Sequence, residues 1–210
     1  MLEFNLFKIP VRVEPVFWIT MGLIGFMWNQ GAPGNQLFLR IALFTMAGFI
    51  SILIHELGHA LMVKKYKLPT EIVLSSFGGY ATHPGGVLDR KQSFLVTLGG
   101  PLLQAVFGLA LYYILPQLNL GATLVVYFLG TLTGISIIWA IFNCVPVLPL
   151  DGGRMLEAAL GPRKIKLTLQ ISIAVAITLA IFGFTKNEPI LGIFMAMFAF
   201  QNYQNYEQFK

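Results

Sequence analysis

Hydrophobic and polar positions alternate at the start of the chain and run together afterwards. Over residues 1–14, Phe7, Ile9, Val11 and Val13 fall on one face of an extended segment, and Lys8, Arg12 and Glu14 on the other. That period of two predicts a strand, and Pro10 predicts that it lies at a sheet edge. Pro15 opens a first apolar helix, 16 to about 28, short for a span, with Trp18 and Trp28 placed as interfacial anchors. After an uncharged turn over 29–36, residues 37–63 are apolar except for Arg40 and the cluster His55, Glu56 and His59. As a helix this run reaches about 40 Å, more than a hydrocarbon core of about 30 Å. Residues 64–92 are mixed. Within them, 71–74 and 77–81 read as two short strands of a hairpin whose edges are either covered or used to pair with another strand.

Apolar runs at about 93–115, 122–142, 167–184 and 190–200 predict the third to sixth helices. Gly99-Gly100-Pro101 predicts a kink or a close helix approach in the third. From Asn143 to Gly153 the chain stays apolar, but Pro146 and Pro149 forbid regular helix. This reads as a loop buried in protein at membrane depth. A basic connection, 154–166, follows it. The expected fold class is an all-α polytopic membrane protein. It has about six transmembrane helices, a small membrane-associated β-hairpin or sheet, and a proline-broken loop, in a single domain over 1–210.

Composition agrees. The chain is 56% hydrophobic and 11% charged, where a soluble domain carries about 25% charge. The net charge of +5 is explained by topology rather than by nucleic acid. With six spans both termini share one side. Lys8, Arg12, Lys64, Lys65, Lys67, Arg90, Lys91, Arg154, Arg163, Lys164, Lys166 and Lys210 then fall on that side, and only Arg40 and Lys186 on the other. The positive-inside rule makes that side cytoplasmic and the protein a multi-pass component of the cell membrane. A re-entrant sixth segment puts only the tail outside. No small-residue cleavage site marks a signal peptide. The single cysteine, Cys144, has no partner within the chain for a disulfide.

Ionisable groups inside an apolar span cost several kcal/mol unless paired or ligating, so the His55, Glu56, His59 cluster reads as a functional site. Residues four apart share a helix face, so His55 and His59 can reach one metal ion. Glu56 sits about 100° further round, where it can touch a zinc-bound water without displacing it. This is the His-Glu-x-x-His arrangement of a zinc hydrolase, with two imidazole ligands and a carboxylate base. A catalytic zinc takes a third protein ligand. Asp151 follows the proline-broken loop at the cytoplasmic end of the fourth span, and His55 and His59 lie roughly 6–13 Å below the same end of the second. Asp151 therefore stands out as that ligand; the alternative is a helix N-cap, and it can serve as both. Asn143, eight residues earlier, is placed either to donate a hydrogen bond to a developing oxyanion or to satisfy the broken backbone near Pro146. His83 reads as an exposed loop residue and Cys144 as packing.

His55-Glu56-Leu57-Gly58-His59 followed by Asn143-Cys144-Val145-Pro146-Val147-Leu148-Pro149-Leu150-Asp151-Gly152 resembles the two signatures of the site-2 protease family of intramembrane zinc metalloproteases. The likeness extends to Phe77-Gly78-Gly79, Gly100-Pro101 and the lead-in Ile9-Pro10-Val11-Arg12-Val13, over a core of about 8–160. The additional helices, about 165–201, carry no signature. The resemblance implies one Zn²⁺ held by His55, His59 and Asp151, with Glu56 as general base. It implies a membrane-anchored protein substrate, cut in or near its transmembrane segment; the chain departs from many members in reading as a short form without PDZ or CBS domains. Where such proteins often have Asn shortly after Gly-Pro, this chain has Gln104, which receives no role.

Two other classes compete. A proteolytically inactive zinc-binding scaffold of the same fold needs the ligands but not Glu56. A metal transporter needs carboxylates or histidines strung across several spans, and the first, third, fifth and sixth have none.

Overall fold

The structure is a computed structural model that describes the chain except for Phe77, Ala122 and Lys210. In order it contains β1 (Leu2–Leu6), β2 (Ile9–Val13), α1 (Pro15–Trp28), α2 (Gly34–Lys65), β3 (Ile72–Ser75), β4 (Gly78–Ala81), α3 (Arg90–Ile114), α4 (Leu124–Asn143), α5 (Asp151–Leu160), α6 (Ile165–Thr185) and α7 (Pro189–Glu207). Short 3-10 turns cover Leu115–Leu118 and Pro162–Lys164. Two compact units emerge. One comprises residues 1–87 with 99–141, the other 88–98 with 142–210.

In the first unit the four strands form one sheet in the order β1-β2-β3-β4. β1 and β2 pair antiparallel, β2 and β3 parallel, β3 and β4 antiparallel. The expectation of an edge strand at Pro10 is corrected, because β2 lies inside the sheet. Pro10 is tolerated because the β2–β3 ladder starts only at Val11 opposite Ile72, so the missing N–H falls before the first rung. The chain reverses at Phe7 and Lys8, both with positive φ. Phe7 is therefore an exposed turn residue, while Ile9, Val11 and Val13 are fully buried. They join Ile72 and Leu74 of β3, Phe17 and Met21 of α1, and Phe44, Ile52 and Leu57 of α2 in one core. Arg12 bridges the polar face. Its Nε lies 3.4 Å from Glu3 across the hairpin and its Nη2 3.1 Å from Glu71.

α2 runs longer than the expected 37–63, and its last turn carries Lys64 and Lys65, favourable beside the partial negative charge of a helix C-terminus. Arg40 lies 5.2 Å over the Tyr127 ring and its guanidinium donates to Gln36. The Gly99-Gly100 step of α3 sits against α2. A Cβ on Gly58 would come within 2.2 Å of the Gly99 carbonyl oxygen, so the two backbones touch where the sequence carries glycine on both sides.

In the second unit α6 and α7 pack together. A Cβ on Gly183 would meet the Gly192 backbone nitrogen at 2.6 Å. Val147, Ala176 and Ala199 form a small core with Val145, Leu150, Val175 and Phe198 around it. The expected basic connection contains a helix, α5. Arg90 donates from Nε to the Ala158 carbonyl at 3.0 Å and from Nη2 to that of Ala159. Those are last-turn carbonyls that have no partner within the helix.

Among the described residues four helical segments are long and apolar enough to cross a membrane: Gly34–Lys65, Arg90–Leu118, Leu124–Asn143 and Pro162–Thr185. α1 is apolar but has only 14 residues. α7 has 19, and its last seven are polar. The chain is thus mostly helical, with four candidate spans and a small sheet. The expected strand start at Phe77, the span start at Ala122 and the terminal charge of Lys210 lie outside the described residues.

Candidate metal centre

α2 presents the histidine pair. His55, Glu56 and His59 are all buried, at 4%, 4% and 9% exposure. The helix is otherwise apolar there, so their burial comes from packing against α3 and β4 rather than from any local preference. The two imidazoles face each other with Nε2 atoms 3.1 Å apart. Two tetrahedral zinc ligands, each about 2.0–2.1 Å from the metal, have nitrogens about 3.3 Å apart. The pair therefore has a spacing that could accommodate one ion. Gly100 forms a cradle beside it, since a Cβ there would lie 2.2 Å from His59 Nε2. His55 is anchored from behind, with Nδ1 2.9 Å from Gln104 Oε1. Two buried imidazoles, one glycine-lined hollow and a hydrogen-bonded second nitrogen fit zinc well.

Glu56 points toward the sheet. A Cβ on Gly79 of β4 would lie 2.9 Å from Glu56 Cγ, so only glycine lets the strand pass this close to the carboxylate stem. β4 is the terminal strand, and among the described residues no strand pairs with its outer edge.

In the second unit Asp151 is the first residue of α5, with Leu150 at the cap position. It is therefore not the N-cap, although its charge still favours the helix N-terminus. The loop before it is tightly fixed. A Cβ on Gly152 would meet the Val145 carbonyl oxygen at 2.2 Å, and one on Gly153 the Leu148 nitrogen at 2.4 Å. Both glycines are buried helical residues that let the loop fold back over α5. The loop is also clamped by the last two helices. Leu148 N–H donates to Ser172 Oγ of α6 at 3.2 Å, and its carbonyl accepts from Asn202 Nδ2 of α7 at 2.6 Å. Sequence reasoning missed both, because a lone Ser and Asn on apolar helices carry no spacing signal. Asn143 ends α4 at the start of this loop. Cys144 is exposed, and its thiol pKa is pushed up, first by desolvation and then by the Asp151 charge. His83 is an exposed loop residue whose Nδ1 lies 3.1 Å from the Pro84 carbonyl.

Comparison with known proteins agrees with this chemistry. The family model for peptidase family M50 matches residues 116–183, a stretch that holds Asn143, Pro146 and Asp151 but not the histidine pair. Zinc metalloprotease MJ0392 of Methanocaldococcus jannaschii is 25% identical over 205 residues, 94% of this chain and 57% of its own length. The Synechocystis sp. protein sll0528, named provisionally as a zinc metalloprotease, is 30% identical over 164 residues, 73% of this chain and 42% of its own. The chain thus spans about half the length of the curated relatives it matches. A solved site-2 protease from Methanocaldococcus jannaschii superposes with a TM-score of 0.67 at 25% identity, over 98% of this chain and 94% of that one. The match to peptidase family M50, the zinc metalloprotease relatives and the site-2 protease structure together support the site-2 protease family for this chain.

Proposed function

We propose that the chain is an intramembrane zinc metalloprotease that hydrolyses peptide bonds in or near the transmembrane segment of membrane-anchored proteins. One observation carries the reading. Two imidazoles with Nε2 atoms 3.1 Å apart are buried in an apolar helix, with a buried glutamate beside them. A scaffold or a structural metal site has no use for Glu56.

His55, His59 and Asp151 would hold the one zinc ion in this account. The third assignment is supported by the sequence signature, by the rigid loop that precedes Asp151, and by the family match over that region. Zinc, when bound, supplies Lewis acidity that brings a water toward ionisation near neutral pH. Glu56 takes the proton of the attacking water and later hands it to the leaving amine. Asn143 donates a hydrogen bond to the oxyanion that develops on the scissile carbonyl.

A helical substrate hides its carbonyls within its own hydrogen bonds, so it must unwind locally. The outer edge of β4, beside Glu56, is suited to hold the unwound segment extended by strand pairing. The six apolar helices span the cell membrane, α1 and α7 included, with the active site near the cytoplasmic face. The bilayer and the substrate are the partners, and the whole of 1–210 acts as one catalytic domain.

Metal analysis of the purified full chain tests the ligands. The wild type is expected to hold one zinc per chain, and His59→Ala and Asp151→Ala to lose it along with cleavage of a single-pass substrate. Unchanged zinc content in either variant removes that residue from the ligand set.

A further inference from the structure

The polar network behind His55 is larger than a ligand pair requires. Gln104 Oε1 lies 2.9 Å from His55 Nδ1. Gln104 Nε2 lies 3.3 Å from the Ser51 carbonyl oxygen and 2.9 Å from Ser51 Oγ. Ser51 Oγ lies 2.9 Å from Ser136 Oγ. Gln104, Ser51 and Ser136 are each 0% exposed. Three helices, α2, α3 and α4, thus contribute to one buried chain of hydrogen bonds that ends on an imidazole.

The direction of that chain follows from its fixed end. An amide side chain can present either its oxygen or its NH₂ group to His55. The Ser51 carbonyl is an acceptor only, so the end of Gln104 facing it is the NH₂. The oxygen then faces His55, and being an acceptor it requires the hydrogen at Nδ1. A neutral imidazole with its hydrogen at Nδ1 carries its lone pair at Nε2. Nε2 is the atom that faces His59.

We propose that Gln104 is a positioning residue that locks His55 in the Nδ1–H tautomer, with Ser51 and Ser136 holding the amide in the only orientation that does so. The inference rests on the reading of His55 and His59 as metal ligands. It gives a purpose to a buried glutamine in an apolar helix, where an unpaired amide is costly. Ser51 has two jobs: its carbonyl and hydroxyl both accept from Gln104, leaving its own hydrogen for Ser136. An apolar residue at 104 leaves His55 Nδ1 without its acceptor, so the ring is no longer committed to offering Nε2 as a lone pair. A glutamate at 104 gives up the donors to Ser51 but keeps an acceptor facing Nδ1.

The test reads the tautomer before it reads the metal. The full chain in detergent, labelled with ¹⁵N-histidine and stripped of zinc, has only three histidines to assign. The wild-type His55 ¹⁵N shifts are expected to report hydrogen at Nδ1. Gln104→Leu is expected to shift His55 toward the Nε2–H form and to weaken zinc in chelator competition about 10- to 100-fold. Gln104→Glu is expected to return the Nδ1–H form and most of the affinity. A wild-type His55 protonated at Nε2 overturns the proposal without reference to any variant. So does a Gln104→Leu chain that melts at a lower temperature but keeps the wild-type tautomer and zinc affinity, the result expected of a packing role alone. The ligand reading fails separately, through a wild-type chain that binds no zinc.

Discussion

At the residue scale the site depends on small side chains as much as on ligands. Gly100 leaves room for the His59 ring, and Gly79 leaves room for Glu56. Gly100→Ala forces a methyl into a 2.2 Å contact with His59 Nε2. Overpacking of this kind costs about 1–3 kcal/mol, and here the atom displaced is the nitrogen proposed to ligate zinc. Gly100→Ala is expected to weaken zinc binding by more than it lowers the melting temperature, and chelator competition beside a thermal melt measures the two. His55, Glu56 and His59 were legible in the sequence because charge is rare in an apolar run, which makes their spacing informative. Gln104 was not legible as a partner of His55. Nothing in a sequence says which of several buried amides faces a ring 49 positions away.

At the element scale the last two helices act on the loop before Asp151. Ser172 and Asn202 hold the amide and the carbonyl of the same residue, Leu148. Asn202→Leu removes the donor to a part-buried carbonyl, at a cost of about 1 kcal/mol. The expected outcome is a lower melting temperature and a lower zinc affinity, with Ser172→Ala acting in the same direction. Unchanged zinc affinity in both variants would show that the clamp serves only the fold. The loop itself was readable from Pro146 and Pro149, two prolines three apart that a regular helix does not take in, whereas the single Pro101 is accommodated inside α3. The helix that starts at Asp151 was foreshadowed only by the N-cap alternative, because Gly152-Gly153 resembles a turn, whereas the close carbonyls of Cys144 and Val145 show why glycine is needed within the helix. The N-terminal hairpin was hidden for a related reason. Its reversal uses Phe7 and Lys8 at positive φ, without the Asn-Gly or Asp-Gly pair by which such turns are recognised.

At the scale of the whole molecule, apolar run length predicted the four longest helices to within a few residues. It was less informative for α1 and α7, whose lengths and compositions depart from a simple span. Orientation rests on charge. Twelve of the fourteen Lys and Arg residues are assigned to the side of the termini by the six-span reading. Reporter fusions made after His83 and after Arg163 are therefore expected to report the cytoplasm, and fusions after Leu120 and Asn187 the opposite side. A cytoplasmic signal at Leu120 would break the six-span order. Proteolysis itself is tested most directly by incubating a single-pass membrane substrate with the wild-type chain and with Glu56→Gln in the same vesicles, while measuring bound zinc in both. The account predicts one zinc per chain in each and a fragment released by the wild type only, at a rate at least about a hundredfold above the variant. Equal cleavage by the two, or no cleavage by a zinc-loaded wild type, would contradict it.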